Sequence, residues 1–168
     1  ISEIPTFKRT ELGISHVLER RRVFPHLTVM QNLVLGAWHP KAKEELGSSL
    51  SKVYKVFPKL ESRSGQLAHT MSGGEQQMLA IARGLMGLPK LLMVDEPFLG
   101  LSPLVVKDLI KIFKNVVSEG VSILFVEQNV RLALSMADRG YVLESGRLVI
   151  SGKSNELIGS DKVKKVFL

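Results

Sequence analysis

Apolar positions along this chain fall into two regimes. Between Thr28 and Ala37 they recur at helical spacing (Val29, Leu33, Val34, Ala37), directly after a Thr-x-x-Gln box of the kind that caps a helix start. A helix is predicted there. From Lys41 to Phe57 charges interleave with Leu46, Leu50, Val53, Tyr54 and Phe57, and Pro58 follows, which predicts a second helix broken near Gly47. The polar run from Glu61 to Thr70 reads as an exposed connector into Met71-Ser72-Gly73-Gly74. A helix carrying Met78, Leu79, Ile81, Ala82 and Leu85 comes next, so residues of about 28–88 are expected to be mostly helical.

Beyond that point short β-rich runs alternate with helical ones. Leu91-Leu92-Met93-Val94 is continuously apolar, a helix is predicted from Pro103 to Ser118 on Val105, Leu109, Ile112, Phe113 and Val116, and Val121 to Val126 is β-branched and aromatic. Asn129 to Ala137 is helical in pattern. Fully apolar strands separated by helices point to an α/β fold with a parallel sheet covered on both faces. Tyr141 to Leu143 and Leu148 to Ile150 flank Ser145-Gly146 and predict an antiparallel hairpin, and Ser154 to Leu168 reads as two short helices.

Composition narrows the classes. With 45% apolar and 23% charged residues over 168 positions, disorder is excluded as the default. The absence of cysteine removes disulfide frameworks, thiolate nucleophiles and Cys-ligated zinc. The longest stretch without a charged residue, Val23 to Pro40, holds two Pro, two His, Gln, Asn and Thr and cannot span hydrocarbon. A net charge of +7 invites a nucleic-acid or anionic-membrane partner. Yet the cations lie in short groups, Arg20-Arg21-Arg22, Lys52 to Lys59 and Lys162-Lys164-Lys165, without the aromatic interleaving of a base-stacking surface, Tyr54 and Phe57 being part of a predicted helix's apolar spacing, as on a solvated face. His16, His26, His39 and His69 lack metal-ligand spacing and are expected at the surface or in connectors, while Trp38, Met71 and the Phe residues are expected in core or interface packing.

Two segments carry chemistry. The run Leu91-Leu92-Met93-Val94-Asp95-Glu96-Pro97 ends a strand in two adjacent carboxylates, and ligands of parallel sheets bind beyond the carboxyl ends of the strands. Neighbouring strand residues point oppositely, so one acid can hold a hydrated Mg²⁺ while the other polarises a water, as phosphoryl transfer requires. A capping pair in a strand-to-helix turn accounts for the same two acids. In Met71-Ser72-Gly73-Gly74-Glu75-Gln76-Gln77, glycines at a helix start let backbone N–H groups approach an anion, where an ordinary N-cap is the plainer reading.

Together these segments resemble ATP-binding cassette (ABC) proteins. MSGGEQQ resembles the family's signature, LLMVDEP its Walker B strand, and Leu99-Gly100-Leu101-Ser102-Pro103 falls where its D-loop does. Arg21-Arg22-Val23-Phe24-Pro25, Glu75 to Ile81, Glu127-Gln128-Asn129 and Asp138 to Glu144 resemble the ATPase subunits of branched-chain amino acid importers. The resemblance, from about Leu12 to Leu168, implies a P-loop NTPase-like fold: a parallel sheet flanked by helices with an inserted helical subdomain. It implies a partial ABC ATPase domain over 1–168, with a helical subdomain at about 28–88, a Walker B, D-loop and switch portion at about 89–152, and a helical tail at 153–168.

The same resemblance implies ATP and Mg²⁺ as ligands, with Asp95 and Glu19 on Mg²⁺ and Glu96 as general base. It places Gln128 at the switch position, and Ser72, Gly73, Gly74 and Glu75 on the γ-phosphate of a nucleotide held by a second ATPase subunit in a head-to-tail dimer. Gly100, Leu101 and Ser102 would pass information between the two sites. Integral-membrane permease subunits would contact the helical segment from about Thr28 to Arg83, a solute-binding protein outside the membrane would act indirectly, and the subunit would sit peripherally on the cytoplasmic face of the membrane. No nucleic acid is implied.

Three positions depart from the family pattern. Gln128 stands where His is usual but still donates a hydrogen bond, Glu19 stands where a Gln is usual with Leu18 in place of Pro, and Glu75 occupies the fifth signature position, usually Gln. A larger departure is the lack of any G-x-x-x-x-G-K-[ST] phosphate loop. In the family that loop, and an aromatic that stacks on adenine, precede the region matching Leu12, and the resemblance sets the loop's strand mid-sheet beside the Walker B strand. With Ile1-Ser2-Glu3-Ile4-Pro5 lacking an initiator Met, the expectation is an N-terminally truncated ABC ATPase that cannot bind ATP in cis. Two other readings stand beside it: a non-catalytic module supplying only the signature half-site, and a DNA-maintenance ATPase of related type, which would need heptad arms that are absent here.

Overall fold

The computed structural model describes residues 1–160 and Val163. They form two compact units, Ile1–Val126 and Glu127–Leu168. The first unit runs α1 (Thr6–Arg9), β1 (Ile14–Val17), α2 (Val29–Gly36), α3 (Pro40–Glu44), α4 (Leu46–Val56), α5 (Pro58–Glu61), a 3₁₀ turn at Ala68–Thr70, α6 (Gly73–Leu85), β2 (Leu91–Asp95), α7 (Pro103–Ser118) and β3 (Ser122–Val126). The second runs α8 (Val130–Met136), β4 (Arg139–Glu144), β5 (Arg147–Lys153) and α9 (Ser154–Gly159).

The three strands of the first unit are parallel in the order β1-β2-β3, with Val17 opposite Val94 and Asp95 opposite Val126. This corrects one expectation. Both edges of the strand that ends in Asp95 are taken, by β1 and β3, so no further strand fits beside it; the open edges of this sheet are the outer ones of β1 and β3. β1 was not legible as a strand. It has four residues, two of them Ser15 and His16, and Ser15 is buried while His16 is exposed.

Helix α6 is the centre of the unit. Met78, Leu79, Ile81 and Ala82 are buried, and α6 meets the sheet through Gly84, where a β-carbon would lie 2.9 Å from a Val17 methyl and 3.0 Å from a Leu92 methyl. On its other side α6 meets α2 at Gly36, where a β-carbon would collide with the Arg83 carbonyl. On α7, Leu109, Ile112, Phe113 and Val116 are buried, and Phe98, Phe113 and Phe125 pack ring on ring at centroid distances of 6.1 and 6.5 Å.

The Thr28/Gln31 capping box forms as the pattern predicts: Thr28 Oγ1 accepts from the Gln31 N–H at 3.2 Å and Gln31 Oε1 accepts from the Thr28 N–H at 2.8 Å. The break in the second helix lies at Glu45 instead of Gly47. Glu45 closes α3 with ψ of 15°, and Gly47 sits within α4. The Glu61–Thr70 connector is not simply exposed. It folds back on the start of α2, the Val29 and Met30 N–H groups donating to the carbonyls of Gln66 and Ser64 at 2.9 Å each, and Ala68 is fully buried.

His39 also departs from expectation. It is buried, caps α3 by accepting from the Ala42 N–H through Nδ1, and donates from Nε2 to the Gly87 carbonyl at 3.0 Å. Trp38, at 61% exposure, and Phe7, likewise 61%, lie outside the core.

In the second unit β4 and β5 pair antiparallel across Ser145 and Gly146, whose φ values of 47° and 75° suit a tight hairpin turn. Leu134, Leu157 and Val163 form its core, with Val130 and Ile150 against it. Of the two tail helices expected, α9 is present; the second falls in a stretch of which only Val163 is described.

Candidate functional site

Leu92 and Val94 bury their side chains in the sheet, which aims the strand's end outward at Asp95. Glu96 follows with φ of 48°, a left-handed conformation costly for a residue with a side chain, and its N–H still donates to the Val126 carbonyl at 3.0 Å. The two carboxylates therefore leave the sheet at a sharp turn at its carboxyl edge. Glu19 lies two residues beyond β1, the parallel neighbour of β2, and so reaches the same edge. Its carboxylate pairs with Arg20 at 3.3 Å; both groups are substantially exposed, and a pair of this kind contributes little. Among the described residues no group of three or more His, Asp or Glu side chains forms a metal cage.

The glycine-started helix is built as the pattern predicts. Ser72 caps α6: its Oγ accepts from the Glu75 N–H at 3.4 Å, while Glu75 Oε2 accepts from the Ser72 N–H and hydroxyl, each at 2.9 Å. Glu75 also pairs with Arg63 at 3.1 Å. Burial pushes the Glu75 carboxyl up, but the two bonds from Ser72 together with Arg63 and Lys59 outweigh it, and the net shift is below the ordinary 4.5. A carboxyl lowered in the folded state contributes stability that is complete above its unfolded pKa and is lost as pH falls through the folded one. Wild-type protein is therefore expected to lose more thermal stability than Glu75→Gln between pH 7 and the acid side of 4.5, as melting curves at stepped pH would show. Equal losses would contradict the assignment.

Around this helix start three segments converge. A β-carbon on Gly73 would sit 2.7 Å from the Arg21 guanidinium, and one on Gly74 would sit 3.0 Å from the Val105 methyls in the first turn of α7. Gly100, with φ of 65°, turns the chain beneath, 3.9 Å from Arg21 by the same measure, and Ser102 caps α7 by accepting from the Val105 N–H at 3.5 Å. The structure thus brings Ser72, Gly73 and Gly74 together with the Gly100-Leu101-Ser102 turn. Gln128 lies in the second unit, two residues past β3.

The arginine loop after β1 went unassigned from sequence and proves to be a strap. Arg20, Arg21 and Arg22 all have positive φ, of 61°, 68° and 45°. Arg83 of α6 holds the strap's far end, donating to the Arg22 carbonyl at 2.7 Å with its guanidinium 5.0 Å from the Phe24 ring centre, and burial lowers its pKa. Asn32 of α2, fully buried, secures the next stretch: Oδ1 accepts from the Phe24 N–H at 2.9 Å, and Nδ2 donates to the carbonyls of Phe24, Leu27 and Thr28 at 3.0 to 3.3 Å. Nothing in the sequence pattern marked Asn32, because an Asn in an amphipathic helix reads as solvent-facing.

The ABC transporter family model matches residues 2–99. The chain is similar to the high-affinity branched-chain amino acid transport ATP-binding protein BraG of Pseudomonas aeruginosa, 44% identical over 98% of this chain and 70% of that protein. It is also similar to the probable branched-chain amino acid transport ATP-binding protein LivF of Archaeoglobus fulgidus, 38% identical over 99% of this chain and 70% of that one. In fold it matches a crystal structure of a nucleotide-free ATP-binding cassette from an ABC transporter, with TM-score 0.79 and 22% identity over 96% of this chain and 70% of the other.

Proposed function

Because the chain belongs to the ABC transporter family, we propose that it is the ATP-binding subunit of an importer, coupling ATP hydrolysis at a head-to-tail dimer interface to uptake of branched-chain amino acids. The observation that carries the reading is the presence in one unit of a central parallel strand ending in Asp95-Glu96 and a Ser72-capped helix opening on two glycines. No helix among the described residues is long and apolar enough to cross a membrane; in this reading integral-membrane permease subunits form the path. In this reading the subunit docks on them at the cytoplasmic face, and a solute-binding protein acts beyond them.

Asp95, with Glu19 on the same edge, would hold Mg²⁺. This donor set fits: Mg²⁺ is commonly bound by one or two carboxylates, with water and substrate phosphates completing the shell, and needs no cage. The ion would neutralise charge on the phosphates. Glu96 accepts the proton of the attacking water as its oxygen bonds the γ-phosphorus and the bridging oxygen leaves with ADP. Gln128, at the switch position, donates a hydrogen bond to the γ-phosphate or the water. Gly73 and Gly74 present N–H groups at the positive end of α6 to the γ-phosphate of a nucleotide on the second subunit, with Ser72 beside them, its own N–H held by Glu75. Glu75 serves that surface by holding the cap, its carboxylate being engaged by Ser72 and Arg63. Gly100, Leu101 and Ser102 link the two sites, and the helical portion at about 28–88 faces the permease, with the remainder to about 152 carrying the catalytic edge and 153–168 the tail.

No phosphate loop of the G-x-x-x-x-G-K-[ST] type occurs in these residues, which favours a second reading in which they supply only the signature half of a shared site. Vesicles carrying the assembled transporter test the first: ATP-driven accumulation of L-leucine, competed by L-valine and L-isoleucine, is expected. ATP turnover indifferent to these solutes would overturn the substrate, and Mg-ATP binding by the isolated chain would overturn the half-site reading.

A further inference from the structure

Arg21 is half-buried at the start of α6, and a β-carbon placed on Gly73 would meet its Cζ, Nη1 and Nη2 together at 2.7 to 2.8 Å. Three nearly equal distances mean that the guanidinium lies face-on over Gly73, with its N–H edge turned sideways. Its Nη2 is also 3.9 Å from the point a β-carbon on Gly100 would occupy, so the cation stands between the glycine-started helix and the turn before α7. We propose that Arg21 is an anion-binding residue of this surface, donating to the terminal phosphate of a nucleoside triphosphate held by a second subunit.

Charge is what the arrangement leaves unbalanced. Among the described residues no ion pair engages Arg21, and the acids nearest to it in the strap and in the first turn of α6 are already taken. Glu19 pairs with Arg20 at 3.3 Å, and Glu75 pairs with Arg63 at 3.1 Å while accepting from Ser72. The guanidinium is therefore a cation set against the positive end of a helix, where the dipole repels it unless an anion lies between them. Nor is it there on a loose loop. Directly after it the strap is tied down, Arg83 donating to the Arg22 carbonyl at 2.7 Å and Asn32 accepting from the Phe24 N–H at 2.9 Å.

The chemistry of the anion follows from its donors. A terminal phosphate offers three acceptor oxygens, enough to take the helix-end N–H groups and the guanidinium fork at once, and an Arg fork matches two phosphate oxygens in a bidentate pair. Held in advance by the strap, Arg21 adds charge stabilisation without rearranging when the phosphoryl group transfers. Gly73 is then required twice over, for the approach of its backbone to the anion and because any side chain there displaces the guanidinium. That the anion belongs to a triphosphate rests on the proposed function; the affinity of Arg21 for a phosphoryl oxyanion does not.

Calorimetric titration of the 168-residue chain with pyrophosphate is expected to show saturable binding that Arg21→Met weakens about tenfold, the loss typical of one charge-assisted contact. Arg20→Met removes the same charge from the exposed neighbour and should leave the affinity unchanged. Arg21→Lys, which keeps the charge and loses the fork, should fall between. Gly73→Ala should lose what Arg21→Met loses, and the two together no more, since the new β-carbon only pushes the guanidinium aside. In the assembled transporter Arg21→Met should lower kcat about 10²-fold, the scale of one lost oxyanion donor, and narrow the preference for ATP over ADP. A residue that merely packs on Gly73 would lower the melting temperature and move neither. A wild-type transporter without ATP turnover removes the proposed function and leaves the pyrophosphate titration to judge Arg21. Absence of saturable pyrophosphate binding, or equal weakening by Arg20→Met and Arg21→Met, overturns the proposal. So does a kcat for Arg21→Met within about threefold of wild type in a transporter that turns ATP over.

Discussion

Glu96→Gln is expected to lower the kcat of ATP hydrolysis in the assembled transporter by about 10²–10⁴-fold while leaving ATP binding intact, the range associated with a positioned general base. The amide keeps the shape and hydrogen-bonding surface of the carboxylate, so the turn at Glu96, with its φ of 48° and its N–H on the Val126 carbonyl, is retained. What is lost is the group that takes the proton. Phosphate release measured alongside retention of labelled nucleotide separates the effects: turnover falls and bound ATP accumulates. A kcat within about threefold of wild type would remove Glu96 from the base role, since a difference that small is worth under 1 kcal/mol of barrier. Asp95→Asn should instead raise the Mg²⁺ concentration needed for half-maximal turnover, because the residue is assigned to the metal.

The second large effect is structural. Asn32→Ala is expected to cost about 2–4 kcal/mol, because the side chain is fully buried and its removal strands the Phe24 N–H and frees the carbonyls of Phe24, Leu27 and Thr28 from their donor. At roughly 2–4 °C per kcal/mol for a chain of this size, the melting temperature should fall by about 5–15 °C. Asn32→Asp is the sharper comparison. It keeps the acceptor for the Phe24 N–H and sets a carboxylate beside Arg83, which donates to this oxygen at 3.5 Å, but it also puts an acceptor where three carbonyls expect a donor, so it should remain clearly destabilising despite its shape. A drop of less than about 2 °C for both would mean that water replaces the side chain and that the strap is not held by it.

These two residues stand at opposite ends of legibility. Asp95 and Glu96 could be read directly, because a continuous apolar run bounded by acids and Pro97 has few folded interpretations. The same holds for α2 and α6, whose starts are written in local chemistry: Thr28 with Gln31, and Ser72 with Glu75, each close a capping box within three residues. Helix α7 begins at Pro103 and ends at Ser118, as the spacing of Leu109, Ile112, Phe113 and Val116 predicts.

Other features depended on partners far away in sequence. Strand β1 is too short and too polar to announce itself and exists because Val17 and its neighbours pair with β2 some 77 positions later. His39 looked like a connector residue until Gly87 supplied its acceptor, and the Glu61–Thr70 segment looked solvent-exposed until the N–H groups of α2 claimed its carbonyls. The order of strands was likewise invisible, because continuous apolar runs carry no information about which edge meets which.

By itself, then, the sequence determined whatever local chemistry enforces: the helix caps, the apolar faces of α6 and α7, the acid pair at the end of β2 and the glycine-started helix near it in the chain. Tertiary structure alone decided that β2 is flanked on both sides, that Arg21 lies against Gly73 while Arg83 grips the other end of the strap, and that Asn32 and His39 are buried. The reason is physical. A cap or an amphipathic face is satisfied within four residues, whereas a buried polar side chain or a strand edge is satisfied only by groups that folding brings from elsewhere.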